Sequence, residues 1–165
     1  MEHFEIIDWL PEIPEHFLTT PEEVLASKQE VNIGSYKPNA DEDYAITVHD
    51  ADQELVDFLQ PYFEQKISVR WQVIVRDLQL HIDWGNSHGK FLYQIQPGGK
   101  DVKTNFWSKF PGEEAADWLS TEGRTLVKTI QTPLNKWCRI NVKEPHEVTG
   151  ITGKRFALLI RPRHD

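Results

Sequence analysis

The chain has 165 residues, 39% hydrophobic and 27% charged, with six Trp, eight Phe and four Tyr. That wealth of large apolar side chains excludes a disordered chain, and the length is that of one domain, not of a multi-module enzyme. Eighteen Lys and Arg against 26 Asp and Glu give a formal charge of -8, which disfavours nucleic acid as a partner.

From Met1 to about Asn39 the chain is punctuated by Pro11, Pro14, Pro21 and Pro38, and Thr20-Pro21-Glu22-Glu23 has the cap-then-proline start of a short helix. Tyr44 to Val48 alternates as a strand. Asp50 opens a segment whose Leu55, Phe58, Leu59 and Phe63 fall at helical spacing, ending near Pro61 to Gln65. Residues 1–68 are expected to form a peripheral layer of the single domain. From Val69 the texture changes to short apolar runs separated by Gly, Pro, Asn and Asp. Strands are predicted at Val69–Val75, Gln79–Asp83, Phe91–Gln96, Val102–Trp107, Thr125–Thr132, Lys136–Val142, His146–Val148 and Arg155–Arg161. Eight strands in residues 69–162 point to a double-sheet barrel. Glu113–Leu119 is predicted as a short helix over one end, and Pro97-Gly98-Gly99-Lys100-Asp101 as a hairpin turn.

The single cysteine, Cys138, excludes an internal disulfide and any Cys-rich metal site. Met1-Glu2-His3-Phe4-Glu5 lacks the basic-then-apolar layout of a signal peptide, and no apolar run approaches the roughly 18 to 20 residues of a membrane span. The expectation is a cytoplasmic protein with no membrane partner.

His81-Ile82-Asp83 lies in a strand, so alternation sends the His and Asp side chains to one face and Ile82 to the other. A second imidazole arriving at Pro145-His146 would complete two histidines and one carboxylate around one side of a metal, leaving three positions open, as suits non-haem Fe(II). Arg155 follows across the turn Thr149-Gly150-Ile151-Thr152-Gly153, on what reads as the adjacent strand, and could grip a carboxylate with both arms of its guanidinium. Residue types alone would not carry this, since His3-Phe4-Glu5 shows that a His-x-acid match arises by chance. The order does: a His-x-Asp strand, a gap filled by strands, a second His, a Gly-bearing turn, then a strand opening with Arg.

From about Arg76 to Pro162 this order resembles the Fe(II)/2-oxoglutarate-dependent oxygenase superfamily, in His81-Ile82-Asp83, Glu144-Pro145-His146-Glu147-Val148 and Gly153-Lys154-Arg155-Phe156-Ala157-Leu158. Trp137-Cys138-Arg139-Ile140-Asn141 before the second motif is similar to the aspartyl/asparaginyl and prolyl hydroxylase-like branches. The resemblance implies a mainly β chain with peripheral helices, folded as a double-stranded β-helix (jelly roll, cupin-like). It implies Fe(II) held by His81, Asp83 and His146, and 2-oxoglutarate anchored by Arg155 with Tyr93 supporting its carboxylate. The activity implied is an O2-dependent hydroxylation of an amino-acid side chain, in a peptide, a protein or a free amino acid, with release of succinate and CO2 and ascorbate as reductant. Two departures stand out: the stretch Trp84-Gly85-Asn86-Ser87-His88-Gly89-Lys90 offers His88 and Lys90 where many relatives carry an Arg, and Lys154 is an alternative anchor. Arg155 is preferred because it shares strand parity with Ala157 and Leu159. The competing readings are a catalytically silent jelly-roll metal-binding module and a cupin-like metalloenzyme that does not use 2-oxoglutarate. The usual H-x-H of cupins is replaced here by His81-Ile82-Asp83.

Overall fold

The computed structural model describes residues 3–28, 30–31, 45–85 and 89–163, and among them eleven strands form two antiparallel sheets. The strands are β1 (Phe4–Ile7), β2 (Glu30–Val31), β3 (Ile46–Asp50), β4 (Ile67–Ile74), β5 (Leu78–His81), β6 (Gly89–Pro97), β7 (Lys103–Trp107), β8 (Leu126–Ile130), β9 (Trp137–Asn141), β10 (His146–Thr149) and β11 (Arg155–Pro162). The large sheet runs β1-β9-β6-β11-β4-β3-β2 and the small one β5-β10-β7-β8. The eight strands from β4 onward alternate between the sheets except at the paired β7 and β8, four in each, which is the winding of a double-stranded β-helix.

Alternation along β11 explains why its sequence reads as an unbroken apolar run. Phe156, Leu158 and Ile160 face outward into the main core, whereas Arg155, Leu159 and Arg161 face the space between the sheets. On the outer face lie α1 (Pro21–Ser27) and α2 (Gln53–Leu59), contributing Val24, Leu55 and Leu59. Trp71 of β4 stacks on Phe156, with ring centroids 5.1 Å apart. Thr20 caps α1, its hydroxyl accepting from the Glu23 amide at 3.2 Å, and Pro21 occupies the first turn, where no amide hydrogen is needed.

Three sequence expectations are corrected. The N-terminal segment is more than a peripheral layer, because β1, β2 and β3 extend the large sheet at both edges. Glu113–Leu119 is not a helix: its backbone bonds go to the free edge of β5, with Ile82 and Ala116 exchanging N–H···O bonds and the Leu119 amide donating to Leu80. Trp118, at φ 58°, sits in the left-handed region that a helix would forbid. The turn at Gly98-Gly99 is not a hairpin, since β6 and β7 lie in different sheets; the Gly98 carbonyl instead accepts from the amides of Thr152 and Gly153, locking it to the turn before β11. Tyr44 and His88 lie outside the described residues.

Candidate metal centre

β5 and β10 pair side by side with His146 opposite His81, and Asp83 follows two residues after His81, just past the end of β5. This register brings one ligand atom each from His81, Asp83 and His146 within 4.8 Å of one another. The two His Nε2 atoms lie 3.3 Å and 3.4 Å from Asp83 Oδ1. On the far side of each ring, Nδ1 lies 2.8 Å from a backbone carbonyl, that of Gln79 for His81 and of Glu144 for His146. A carbonyl only accepts, so each Nδ1 carries a proton, and in the neutral ring Nε2 then keeps its lone pair facing Asp83 Oδ1. Two lone pairs and an anionic oxygen converging in this way call for a cation between them, and the carbonyl-held Nδ1–H is the arrangement that orients ligating histidines. The donor set, two imidazoles and one carboxylate, suits a divalent transition metal such as Fe(II) with open positions.

The electrostatics agree. Burial opposes the charge of Asp83, but the Lys90 ammonium leads the attractions that outweigh it and hold the carboxyl well below the usual range. For His146, burial and then the neighbouring His81 push the pKa down, which favours the neutral ligating form. Asp83 Oδ2, the oxygen turned away from the histidines, accepts from Arg161 at 3.0 Å and has Lys90 Nζ at 3.8 Å. Lys90 is largely buried, and burial lowers its pKa against the opposing pull of Asp83.

The triad lines one wall of a cavity of about 390 Å3 between the sheets, with apolar walls from Val48, Leu92, Ile140 and Leu159. Arg155, 4% exposed, lies at its deep end. Its Nε donates to Gln94 Oε1 at 2.8 Å and one terminal nitrogen to Thr132 Oγ1 at 2.9 Å, while the other is buried without a hydrogen-bond partner among the described residues. Arg155 also borders a second depression formed by the turns around Gly98 and Gly153, so the residue forms the floor between the cavity and that depression. β11 lies in the sheet opposite β10, so Arg155 faces the triad across the cavity and is not on an adjacent strand as the sequence had indicated.

Tyr93 is elsewhere. In β6 Lys90 and Leu92 line the cavity and Gln94 follows on their face to reach Arg155, whereas Tyr93 points to the other face, packed on Trp137 with centroids 5.2 Å apart. Its expected role beside a bound carboxylate is corrected by that one-residue parity. Trp84 lines the cavity rim, whereas Trp107 turns away and donates from Nε1 to Glu147 at 2.7 Å. Sequence reasoning missed Gln94, which is fully buried and accepts from Arg155 while donating to the carbonyls of Gln96 and Phe156. The available signal was a glutamine set into the apolar run of Phe91, Leu92, Tyr93 and Ile95.

Fold and site together define a jelly-roll protein with a two-histidine, one-carboxylate centre. Among solved structures the chain is similar to an oxidoreductase of the 2OG-Fe(II) oxygenase family from Burkholderia pseudomallei, at 8% identity and a TM-score of 0.54, over 96% of this chain and 82% of that one. It is similar to E. coli ycfD at 11% identity and a TM-score of 0.54, over 99% of this chain and 50% of that one. Oxalate decarboxylase from Bacillus subtilis also matches, at 17% identity and a TM-score of 0.39, and the chain spans only 26% of its length. These likenesses show the fold. No family model matches the sequence, and no curated protein matches it. Among the described residues no helix is long and apolar enough to cross a membrane.

Proposed function

We propose that this protein is a non-haem Fe(II)/2-oxoglutarate-dependent oxygenase that hydroxylates an organic substrate. The observation that carries the proposal is the pairing of the His81–Asp83–His146 cluster with a buried arginine nitrogen that has no partner, at the far end of the same cavity. Bound Fe(II) would supply the redox chemistry: one oxygen atom of O2 goes to the substrate as hydroxyl, the other to succinate, and CO2 leaves the keto acid.

The chain's own residues do the rest. The carbonyls of Gln79 and Glu144 hold both imidazoles in the ligating tautomer. Arg161 and Lys90 hold Asp83 Oδ2, leaving Oδ1 for the metal. Gln94 and Thr132 fix the Arg155 guanidinium so that its remaining nitrogen receives the distal carboxylate of 2-oxoglutarate. The triad and Arg155 line one cavity from opposite sheets, so a diacid held at both ends would lie between them. The apolar walls exclude bulk water from the oxidising centre.

Purified protein supplied with Fe(II), ascorbate and air is expected to convert 2-oxoglutarate slowly to succinate even without its substrate. Anaerobic Fe(II) plus 2-oxoglutarate is expected to give a weak visible charge-transfer band. Absence of both succinate and the band would overturn the proposal.

A further inference from the structure

The charge inside the cavity runs against that of the chain. Four cations line it, Arg70, Lys90, Arg155 and Arg161, against two carboxylates, Asp83 and Asp117, in a protein of formal charge -8. A divalent metal and a dianionic co-substrate cancel each other, so the filled centre retains positive charge that a further anion would balance.

The cations also sort by depth. Arg155 is at the floor, whereas the side chains of Arg70 and Arg161 are 34% and 36% exposed at the mouth. Arg70 lies on β4 and Arg161 on the neighbouring β11; Arg70 pairs with Leu159 and Arg161 with Ser68, so the two arginines are diagonal neighbours on the face turned to the cavity. Each already faces one carboxylate, Arg161 donating to Asp83 Oδ2 at 3.0 Å and Arg70 lying 3.6 Å from Asp50, so a further anion between them would meet their remaining guanidinium nitrogens. Among the described residues Arg70 Nε is buried without a hydrogen-bond acceptor, and at that distance its ion pair with Asp50 is long. Beside them Trp84, 63% exposed, offers an aromatic wall at the rim.

We infer that the substrate of this centre is a small free organic acid whose carboxylate is received at the mouth by Arg70 and Arg161, with its carbon skeleton against Trp84 and its reacting carbon directed inward. The inference rests on the oxygenase reading for the reaction, but the anion site itself does not depend on it. Size points the same way: about 390 Å3 must hold the metal, the co-substrate and the reacting part of the substrate, near the lower end of the roughly 300–1,000 Å3 of small-molecule sites.

The test uses the full chain loaded with Mn(II) and 2-oxoglutarate, with ligand-observed NMR as the binding readout. The probes are the free amino acids, butanoate, hexanoate and 3-phenylpropanoate, each beside its primary amide, and an Asp-containing peptide blocked at both ends. At least one free acid is expected to bind ten times more tightly than its amide, and Arg70→Gln, alone and combined with Arg161→Gln in protein that still holds stoichiometric Mn(II), is expected to abolish that difference. The inference is overturned if no acid outbinds its amide, or if the preference survives in the double variant. It is overturned equally if the preference is lost in Arg155→Met alone, which would put the acid in the co-substrate position, or if the blocked peptide binds as well as the free acids. The acid-to-amide comparison in the wild type needs no variant to fold. Binding of 2-oxoglutarate to the Mn(II) protein is measured first and reports on the oxygenase reading by itself, so the two failures are separable.

Discussion

Arg155→Met separates what a buried charge does for the fold from what it does for a ligand. The guanidinium is nearly fully buried, and among the described residues no acidic side chain pairs with it. Burial pushes its pKa down from 12.5 to about 10. A depression of that size means that folding the charged form costs roughly 3 kcal/mol. Because the folded pKa is the lower one, the cost is present at neutral pH and is relieved only as pH rises through about 10. Against it stand two hydrogen bonds, to Gln94 and Thr132, each worth about 1.5 kcal/mol or somewhat more with a charged donor. Methionine removes the charge, fills most of the volume and forfeits both bonds, so the ligand-free variant is expected to unfold within about 1–2 kcal/mol of wild type. The ligand response should differ sharply. Losing one partner of a charge-assisted pair in a partly desolvated site costs on the order of 2–5 kcal/mol, or roughly 30-fold to several-thousand-fold in affinity for 2-oxoglutarate. Urea denaturation of the Mn(II)-loaded proteins checks both halves. At a concentration about 100 times the wild-type Kd, 2-oxoglutarate should add about 2.7 kcal/mol to wild type and no more than about 0.9 kcal/mol to the variant. A ligand-free loss above about 3 kcal/mol, or an undiminished response to 2-oxoglutarate, would refute the reasoning.

Four further outcomes are expected. Alanine at His81, Asp83 or His146 should remove stoichiometric Mn(II) or Fe(II) by metal analysis, and full retention in any of the three would dismiss that residue as a ligand. Gly98→Ala should cost about 2 kcal/mol or more in thermal denaturation, because at φ 81° a Cβ would lie 2.7 Å from that of Arg155; Gly112→Ala, at φ 79° with nothing within 4 Å, should cost only about 1 kcal/mol, and equal losses would count against the contact. Cys138, fully buried with its pKa raised to about 12, should resist a thiol reagent at pH 8 until the protein is denatured. Hydrogen bonds from Arg124 hold the Glu113 carboxyl below its ordinary value, so the stability lost in Glu113→Gln should be present above the unfolded carboxylate pKa of about 4.3 and fade as pH falls below it; a difference unchanged at pH 3 would contradict this pairing.

The eight strands from β4 onward were legible because period-two alternation is a local signal, and the Ser68-Arg70-Gln72 face of β4 displays it against Val69, Trp71 and Val73. The triad was legible because strand parity puts His81 and Asp83 on one side and the motif order supplies His146. What escaped depends on partners distant in sequence. β1 is fixed by β9, with Phe4 opposite Ile140, and nothing within Phe4–Ile7 announces that pairing. Ala115, Ala116, Trp118 and Leu119 do have helical spacing, yet the free edge of β5 offers their backbone a competing set of bonds. Tyr93 was assigned by analogy of position when its parity with Phe91, a residue of the outer core, would have placed it outward. Arg70 and Arg161 acquire meaning only once β4 and β11 are neighbours.

The arginine floor of the cavity imposes a queue. On the proposed reading, a molecule seated on Arg155 lies beneath anything held by Arg70, Arg161 and Trp84 at the rim, so the deeper guest enters first and leaves last. Turnover would then follow a compulsory sequence, co-substrate before substrate and hydroxylated product before succinate, and lingering succinate would compete with the next 2-oxoglutarate but not with the acid at the rim.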